Sequence, residues 1–492
     1  MSTTSEATTH PSTETHVARH STLIVVFLSL GGLSFAVLQS LVAPALSTIG
    51  HDLKVSTADV SWILTAYLLS ASVLTPVLGR LGDMVGKRRI LIVVLVLLLV
   101  GAVLAALAPN LGVLIVGRII QGSAGAILPL SIGIVRDELP HSRVPATIGI
   151  LSAIFGIGAG VGIVAAGPIV QALNWHWLFW FPAFLVVVAL AGAIFGMKES
   201  PVRKPGRIDI LGALILGIAL VAILLPIDQG QTWGWGNWKT VWLLVLGGAA
   251  LIAFVLVELR VGEPLVDMRL IRHRGVWSAH LVALTFGFAM FGVFIIIPTL
   301  LQLPVAIGFG FGKTVTEAGL YLLPTVLAMV VFGPFAGFLV RKVGPKVPMM
   351  IGSVLLVVAF VIPGIKHDNI WEVIVSGILT GAAIGMGLAS MSNAIIESVP
   401  ATQTGEATSV NAIARTIGSA IGTAVIAAII SSHTVTVGPL AGAPTNDGFT
   451  IGFWACAGVA VLAFIAALVA PGLRKSREAA AAFGIEDFEV GS

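Results

Sequence analysis

Apolar residues run along this chain in long unbroken stretches, without strict alternation, and the polar positions collect in short segments between them. A stretch of about 18 or more apolar residues is what a helix needs to cross roughly 30 Å of hydrocarbon. Strands of a membrane barrel would alternate polar and apolar instead. Fourteen such stretches are placed near 22–45, 60–79, 90–108, 112–134, 146–168, 176–197, 209–226, 241–258, 279–300, 317–340, 347–364, 371–395, 407–430 and 449–470. The pattern predicts an all-α membrane protein. The first stretch follows a Ser/Thr-rich tail, has no small-residue cleavage site and is longer than a signal-peptide core, so it reads as a retained helix.

Composition agrees, with 57% hydrophobic and 10% charged residues, outside the range of ordinary soluble domains. The net charge of +4 would suggest nucleic acid on a soluble face, but here it sorts by side of the membrane. With both termini cytoplasmic, 21 cations fall on inner segments and four outside, Lys54, Lys239, Lys313 and Lys366. That asymmetry sets the orientation and requires an even number of spans. Arg118 and Arg415 are left within the hydrocarbon. Trp175, Trp177, Trp233, Trp235, Trp238 and Trp242 are expected in an outer interfacial belt, with an aromatic substrate platform as the alternative. The lone Cys456, in the last span, has no partner for an intrachain disulfide.

A repeat is visible. "GRLGDMVGKR" from Gly79 to Arg88 and "GFLVRKVGPK" from Gly337 to Lys346 share Gly, Leu, Val-Gly and a basic last residue at an offset of 258. Ala146-Thr147 and Ala407-Thr408 form a weaker echo. Two copies of a six-helix unit follow, as in many transporters. The expected units are a disordered cytoplasmic tail at 1–20, bundles at 21–197 and 277–472, an inserted helix pair with its linkers at 198–276, and a tail at 473–492. The linker stretch 258–274 has two readings: an amphipathic segment lying on the headgroups, or a solvated connection. With no P-loop, no H-E-x-x-H and no paired intramembrane carboxylates, neither enzyme chemistry nor ATP-driven transport is expected, and no metal site.

"GRLGDMVGKRR" asks for a tight turn between antiparallel helices. Gly82 and Gly86 permit close approach or positive φ, and Asp83 is expected to face Lys87 and Arg88 as a charged clasp. The stretch resembles the signature between helices two and three of the major facilitator superfamily through Gly79, Leu81, Gly82, Asp83, Gly86, Lys87, Arg88 and Leu91; Met84 departs from the usual cation. The span count, with two central extra helices, resembles that superfamily's fourteen-helix drug:proton antiporter branch.

Arg118 lies about six residues from the outer end of span four, hence roughly 9 Å deep, where an unpaired cation costs several kcal/mol. Arg118, Gln121 and Gly122 resemble the family's fourth-helix signature, which implies proton coupling; a structural cation bonded to carbonyls is the alternative. Arg415 resembles the Arg followed by Gly in the corresponding late helix, and cavity residue and structural glue stand equal for it. In span five, Gly158, Gly162 and Gly167 read as helix-packing positions, and their spacing partly resembles the antiporter signature, with Ile163 and Ala166 departing. Gln39 stands near where the family's first-helix Asp commonly lies, and either binds substrate or packs. Asp59 and Glu317 are the candidate proton acceptors, though an acid at such a position is more often one that complements the helix macrodipole.

The resemblance implies two bundles around a midplane cavity, alternating access, and proton-driven export of hydrophobic or amphipathic compounds across a plasma membrane. The proton would be the coupling ion, with no cofactor, and the partners a small-molecule substrate and the lipid bilayer, with no nucleic acid and a monomeric protein. Two other readings stay open: a proton-independent facilitator or exporter of one metabolite, and a non-transporting sensor or scaffold.

Overall fold

The computed structural model describes residues 11–200, 202–204, 206–437 and 440–472. Fourteen helices among them are long and apolar enough to cross a membrane. They are α1 Pro11–Leu41, α2 Thr57–Val85, α3 Lys87–Ala106, α4 Leu111–Glu138, α5 Val144–Ala172, α6 Trp177–Phe195, α7 Ile210–Trp233, α8 Trp238–Glu258, α9 Arg274–Gln302, α10 Thr316–Val343, α11 Lys346–Ile365, α12 Ile370–Ile396, α13 Thr404–Ser432 and α14 Asn446–Val469. In hydrocarbon a backbone bonds only within its own segment, so apolar runs of this length become helices. Polar residues set several starts: Ser56, Asn110, Asp209, Asn237 and Thr445 each accept a backbone N–H of the first turn.

Several elements depart from the sequence expectation. Among the described residues helix α1 covers Pro11–Leu41, so residues 11–20, expected in the tail, are helical. Extending an existing helix needs no new nucleus. Helix α2 runs on to Val85, and α13 starts at Thr404, because Arg80, Asp83 and Glu406 find buried partners between the helices. Helix α4 is interrupted by a 3-10 turn at Gly122–Ala126, lying against Ser70, Ala71 and Thr75 of α2. A short antiparallel hairpin, Thr434–Val437 with Leu440–Pro444, adds a β element between α13 and α14, in keeping with its β-branched Thr-Val alternation.

One apolar cluster gathers α1–α6 around residues such as Leu28, Leu98, Leu130 and Phe179. A second gathers α9–α14 around Phe286, Met329, Phe360 and Phe453. A third joins α7 to both halves, through Leu69 and Val73 of α2, Leu216, Leu220 and Leu224 of α7, and Ile413 and Ile417 of α13. The inserted pair therefore sits across the α2–α13 seam, with α8 packed outside α7.

In the stretch 258–274 the apolar side chains of Leu265, Val266 and Leu270 face the protein and are buried, and a short helix, Met268–Ile271, leads into α9. Its apolar side chains leave water more completely in the groove beside α13 than at a membrane surface. Trp175 is also no belt residue: it is 2% exposed, and its Nε1 donates to Asp52 at 2.6 Å. Trp177, Trp235, Trp238 and Trp242 are exposed. The tail from 473 onward, with Arg474, Lys475 and Arg477, lies outside the described residues.

Candidate functional site

The Gly79–Arg89 stretch closes α2 and opens α3. Gly86, the hinge, has φ +130°, a region that L side chains rarely adopt. Gly82 stays within the helix and makes room for Leu130. At Gly79 a Cβ would run into Ser409 and come within 2.7 Å of the Gly405 carbonyl, so α2 touches α13 there almost backbone to backbone.

Asp83 is fully buried, and its carboxylate accepts the backbone N–H groups of Gly405 at 3.1 Å and Glu406 at 2.9 Å. Those are free donors in the first turn of α13. Asp83 thus caps a helix of the opposite half, its charge at the positive end of the macrodipole. Lys87 lies 3.6 Å from Asp83 and 2.6 Å from Asp137. Glu406 answers from α13, accepting from Arg80 at 3.0 Å and from the Asp267 N–H at 2.6 Å. Arg136 of α4 donates to Thr404 at 2.7 Å and to the Val399 carbonyl at 2.9 Å.

Arg88 is not part of this clasp. It turns toward the end of α6 and donates to the carbonyls of Ala193 at 2.9 Å and Ile194 at 2.6 Å. Unpaired carbonyls and the negative end of the macrodipole attract a cation there.

Nearer the opposite end, α4 places Arg118 in a fully buried position against α2. Its Nε donates to the Ile63 carbonyl at 3.1 Å, Nη1 donates to Gln121 Oε1 at 2.7 Å, and Cζ stands 4.1 Å from the centroid of the Tyr67 ring. Nη2 has no partner, nor have Tyr67 Oη and Gln121 Nε2. None of the ion pairs among the described residues includes Arg118. The arrangement is a cation held by a π face, a carbonyl and an amide, with one donor unspent. Gly122 packs on Ser70 and Ala71 of α2.

Asp59 and Glu317 are not brought to this cluster. Asp59 accepts from the Ser56 hydroxyl at 2.6 Å at the start of α2, and Glu317 forms a capping box with Thr314. Asp228 of α7 instead reaches α2, accepting from the Thr65 hydroxyl and, at 3.0 Å, from Gln229. Arg415 is half-buried on α13 with no ion pair among the described residues, and Gln39 is half-buried on α1. Gly158 and Gly162 lie against Ala36, Val37 and Ser40 of α1, where the Ser40 hydroxyl donates to the Gly158 carbonyl at 3.1 Å. Gly167 is looser, with Thr316 3.9 Å from where its Cβ would lie.

Sequence reasoning missed Glu406, Asp137 and Tyr67. Tyr67 follows Ile63 by one helical turn, a spacing that puts both on the same face of α2. Nothing local singles out Glu406, whose partners lie 326 and 139 residues away.

The fold is that of a membrane transporter built from two helix bundles. The chain matches the Major Facilitator Superfamily over residues 28–304 and 282–486, and it belongs to that family. It is a multi-pass membrane transporter rather than an enzyme. It is similar to the multidrug transporter protein MdtP of Bacillus subtilis (strain 168), 25% identical over 84% of this chain and 76% of that one. It is also similar to the uridine/deoxyuridine transporter of Lactococcus lactis subsp. cremoris (strain MG1363), 29% identical over 76% of this chain and 78% of that one. Among solved structures, the proton:xylose symporter XylE superposes with a TM-score of 0.65 at 14% identity, over 92% of this chain and 97% of that one, a likeness of fold alone.

Proposed function

We propose that this transporter exports hydrophobic or amphipathic compounds by antiport with protons, alternating access between the two faces of a plasma membrane with both termini inside. The observation that carries the reading is Arg118: a buried, unneutralised cation with a free donor beside a phenol with no partner. A cation in that setting disfavours further positive charge nearby, so a proton and a cationic amphipathic substrate oppose each other's binding there. Its neighbourhood to α2 links it to the Asp83 clasp at the far end of the same helix. The multidrug relative supports export of amphipathic compounds.

The test is transport in proteoliposomes under an imposed pH gradient, with lipophilic cationic dyes as probes. Gradient-dependent dye movement is expected in the wild type, and its loss with retained dye binding in Arg118→Ala. Dye movement indifferent to the gradient would sink the proposal. The second reading is proton-independent transport of one metabolite. It is favoured by Gln39 standing in α1 where a carboxylate would serve, by the capping roles of Asp59 and Glu317, and by the nucleoside-transporting relative. Uridine flux without proton flux in the same vesicles would select it.

A further inference from the structure

The inserted pair α7–α8 has no counterpart in the repeat, yet it carries an unusual carboxyl pair. Glu258, the last residue of α8, is 3% exposed; its Oε2 accepts the Val266 N–H at 3.2 Å, and its Oε1 has no partner. Asp209 caps α7, with Oδ1 accepting the Gly212 N–H at 2.8 Å, and its Oδ2 also has no partner. Both free oxygens aim at one place. The position a Cβ on Gly212 would take lies 2.5 Å from Glu258 Oε1 and 2.6 Å from Asp209 Oδ2.

We propose that Asp209 and Glu258 bind one proton between them, and that this proton holds the Asp83 clasp shut. Two ionised carboxylates facing each other with no donor between them repel, whereas one shared proton gives an O–H···O bond that satisfies both free oxygens. The site is wired to the clasp through adjacent residues. Val266 N–H is held by Glu258, and the next residue, Asp267, gives its N–H to Glu406 at 2.6 Å. Glu406 is bonded in turn to Arg80 at 3.0 Å and, through its own N–H, to Asp83 at 2.9 Å.

Other charged and titratable groups face this region: Arg80 and Asp83 from α2, Lys204 and Arg207 from the first linker, Glu263 and Asp267 from the second, His280 from α9 and Glu406 from α13. Arg80 is committed to Glu406, and none of these lies between the two free oxygens.

Proton loss to water at the inner surface breaks only the O–H bond and leaves two anions face to face. Glu258 then withdraws from Val266, and Asp267 from Glu406. The sign follows: the site is filled at low pH with the clasp closed, and is emptied as pH rises with the clasp loosened. The device operates whether or not transport itself is proton-driven.

The test uses full-length protein in detergent without substrate or gradient, so failure of the antiport reading does not touch it. Spin labels at Arg89→Cys and Thr402→Cys, in a Cys456→Ala background, report the distance across the inner end of the seam. In the parent, the long-to-short population ratio is expected to rise about tenfold between mildly acidic and mildly alkaline pH. Glu258→Gln supplies a permanent amide N–H in place of the proton, so it should stay short at every pH, as should Asp209→Asn. The proposal is overturned if both variants follow the parent curve, or if only His280→Asn flattens it. A second measurement needs no variant: difference infrared spectra of the unlabelled protein should show a protonated-carboxyl carbonyl band that disappears over the same pH range. Absence of that band also overturns the proposal.

Discussion

Replacing Asp83 with Asn tests the clasp at its centre. Asp83 holds two N–H groups at the start of α13 with a full negative charge, and it is fully buried. Asn keeps one acceptor oxygen but turns an NH₂ toward the second N–H, leaving one buried donor unpaired and no charge at the helix end. Hydrogen bonds to a charged group contribute about 1.5–3 kcal/mol each, and a charge at a helix N-terminus about 0.3–1 kcal/mol. The closed clasp therefore loses about 2–3 kcal/mol relative to the open one, roughly a 30- to 150-fold shift at about 1.4 kcal/mol per tenfold. Lys87 keeps its 2.6 Å pair with Asp137, so no lone cation is created to unfold the region. Ser409→Cys in a Cys456→Ala background places a thiol where α13 meets Gly79, out of reach of solvent while the clasp is shut. Maleimide labelling at fixed pH should accelerate by the stated factor in Asp83→Asn, with helicity unchanged. An unchanged labelling rate in a folded variant would refute the claim that Asp83 holds the seam.

Two further outcomes follow from the same geometry. Gly79→Val drives a branched side chain into Ser409 and the Gly405 carbonyl, so the clasped end should fail to close and the same thiol should label at its maximal rate, while circular dichroism stays that of the parent. Gly86→Ala forces a Cβ onto φ +130° and to within 2.6 Å of the Glu199 carboxyl, which should cost about 1–3 kcal/mol and lower Tm, whereas Gly458→Ala, with open space around it, should leave Tm unmoved.

Much of this was legible from local sequence, and the rest failed for identifiable reasons. Helices with apolar faces all round declare themselves by length, and the repeat declared itself by Gly79 and Gly337. Asp83 near Lys87 was legible because the pair is four residues apart on adjoining helix ends. The chief partners of Asp83 were not, because they are backbone N–H groups, which every residue but proline carries. Arg88 was misplaced since adjacent residues at a helix start point in different directions, and only the packing of α6 decides which carbonyls one of them meets. Span edges erred where charges continue a helix, an arrangement that pays only when the partner half is present.

The two echoes in the sequence turn out to be the same joint made twice. Helix two of each repeat packs on helix five of the other: Gly79 of α2 on Gly405 and Ser409 of α13, and Gly337 of α10 on Pro145 and Ala146 of α5. The α5–α10 joint continues through Gly149 against Gly333, Gly156 against Met329, Gly160 against Val326 and Gly319 against Val164. That is close packing of small and apolar groups, whose energy changes gradually as the helices slide. The α2–α13 joint is held differently, by Asp83, Arg80, Arg136 and Glu406 at one end. Among the described residues its counterpart has no such clasp, and Arg341, at the repeat position of Asp83, is exposed. Charge-assisted hydrogen bonds weaken steeply with distance and angle, so this joint is either made or broken. Relative motion of the two halves would therefore meet its threshold at one seam and its guide at the other. A ligand can drive the opening only by binding the open form more tightly than the closed one by at least the free energy of that single clasp.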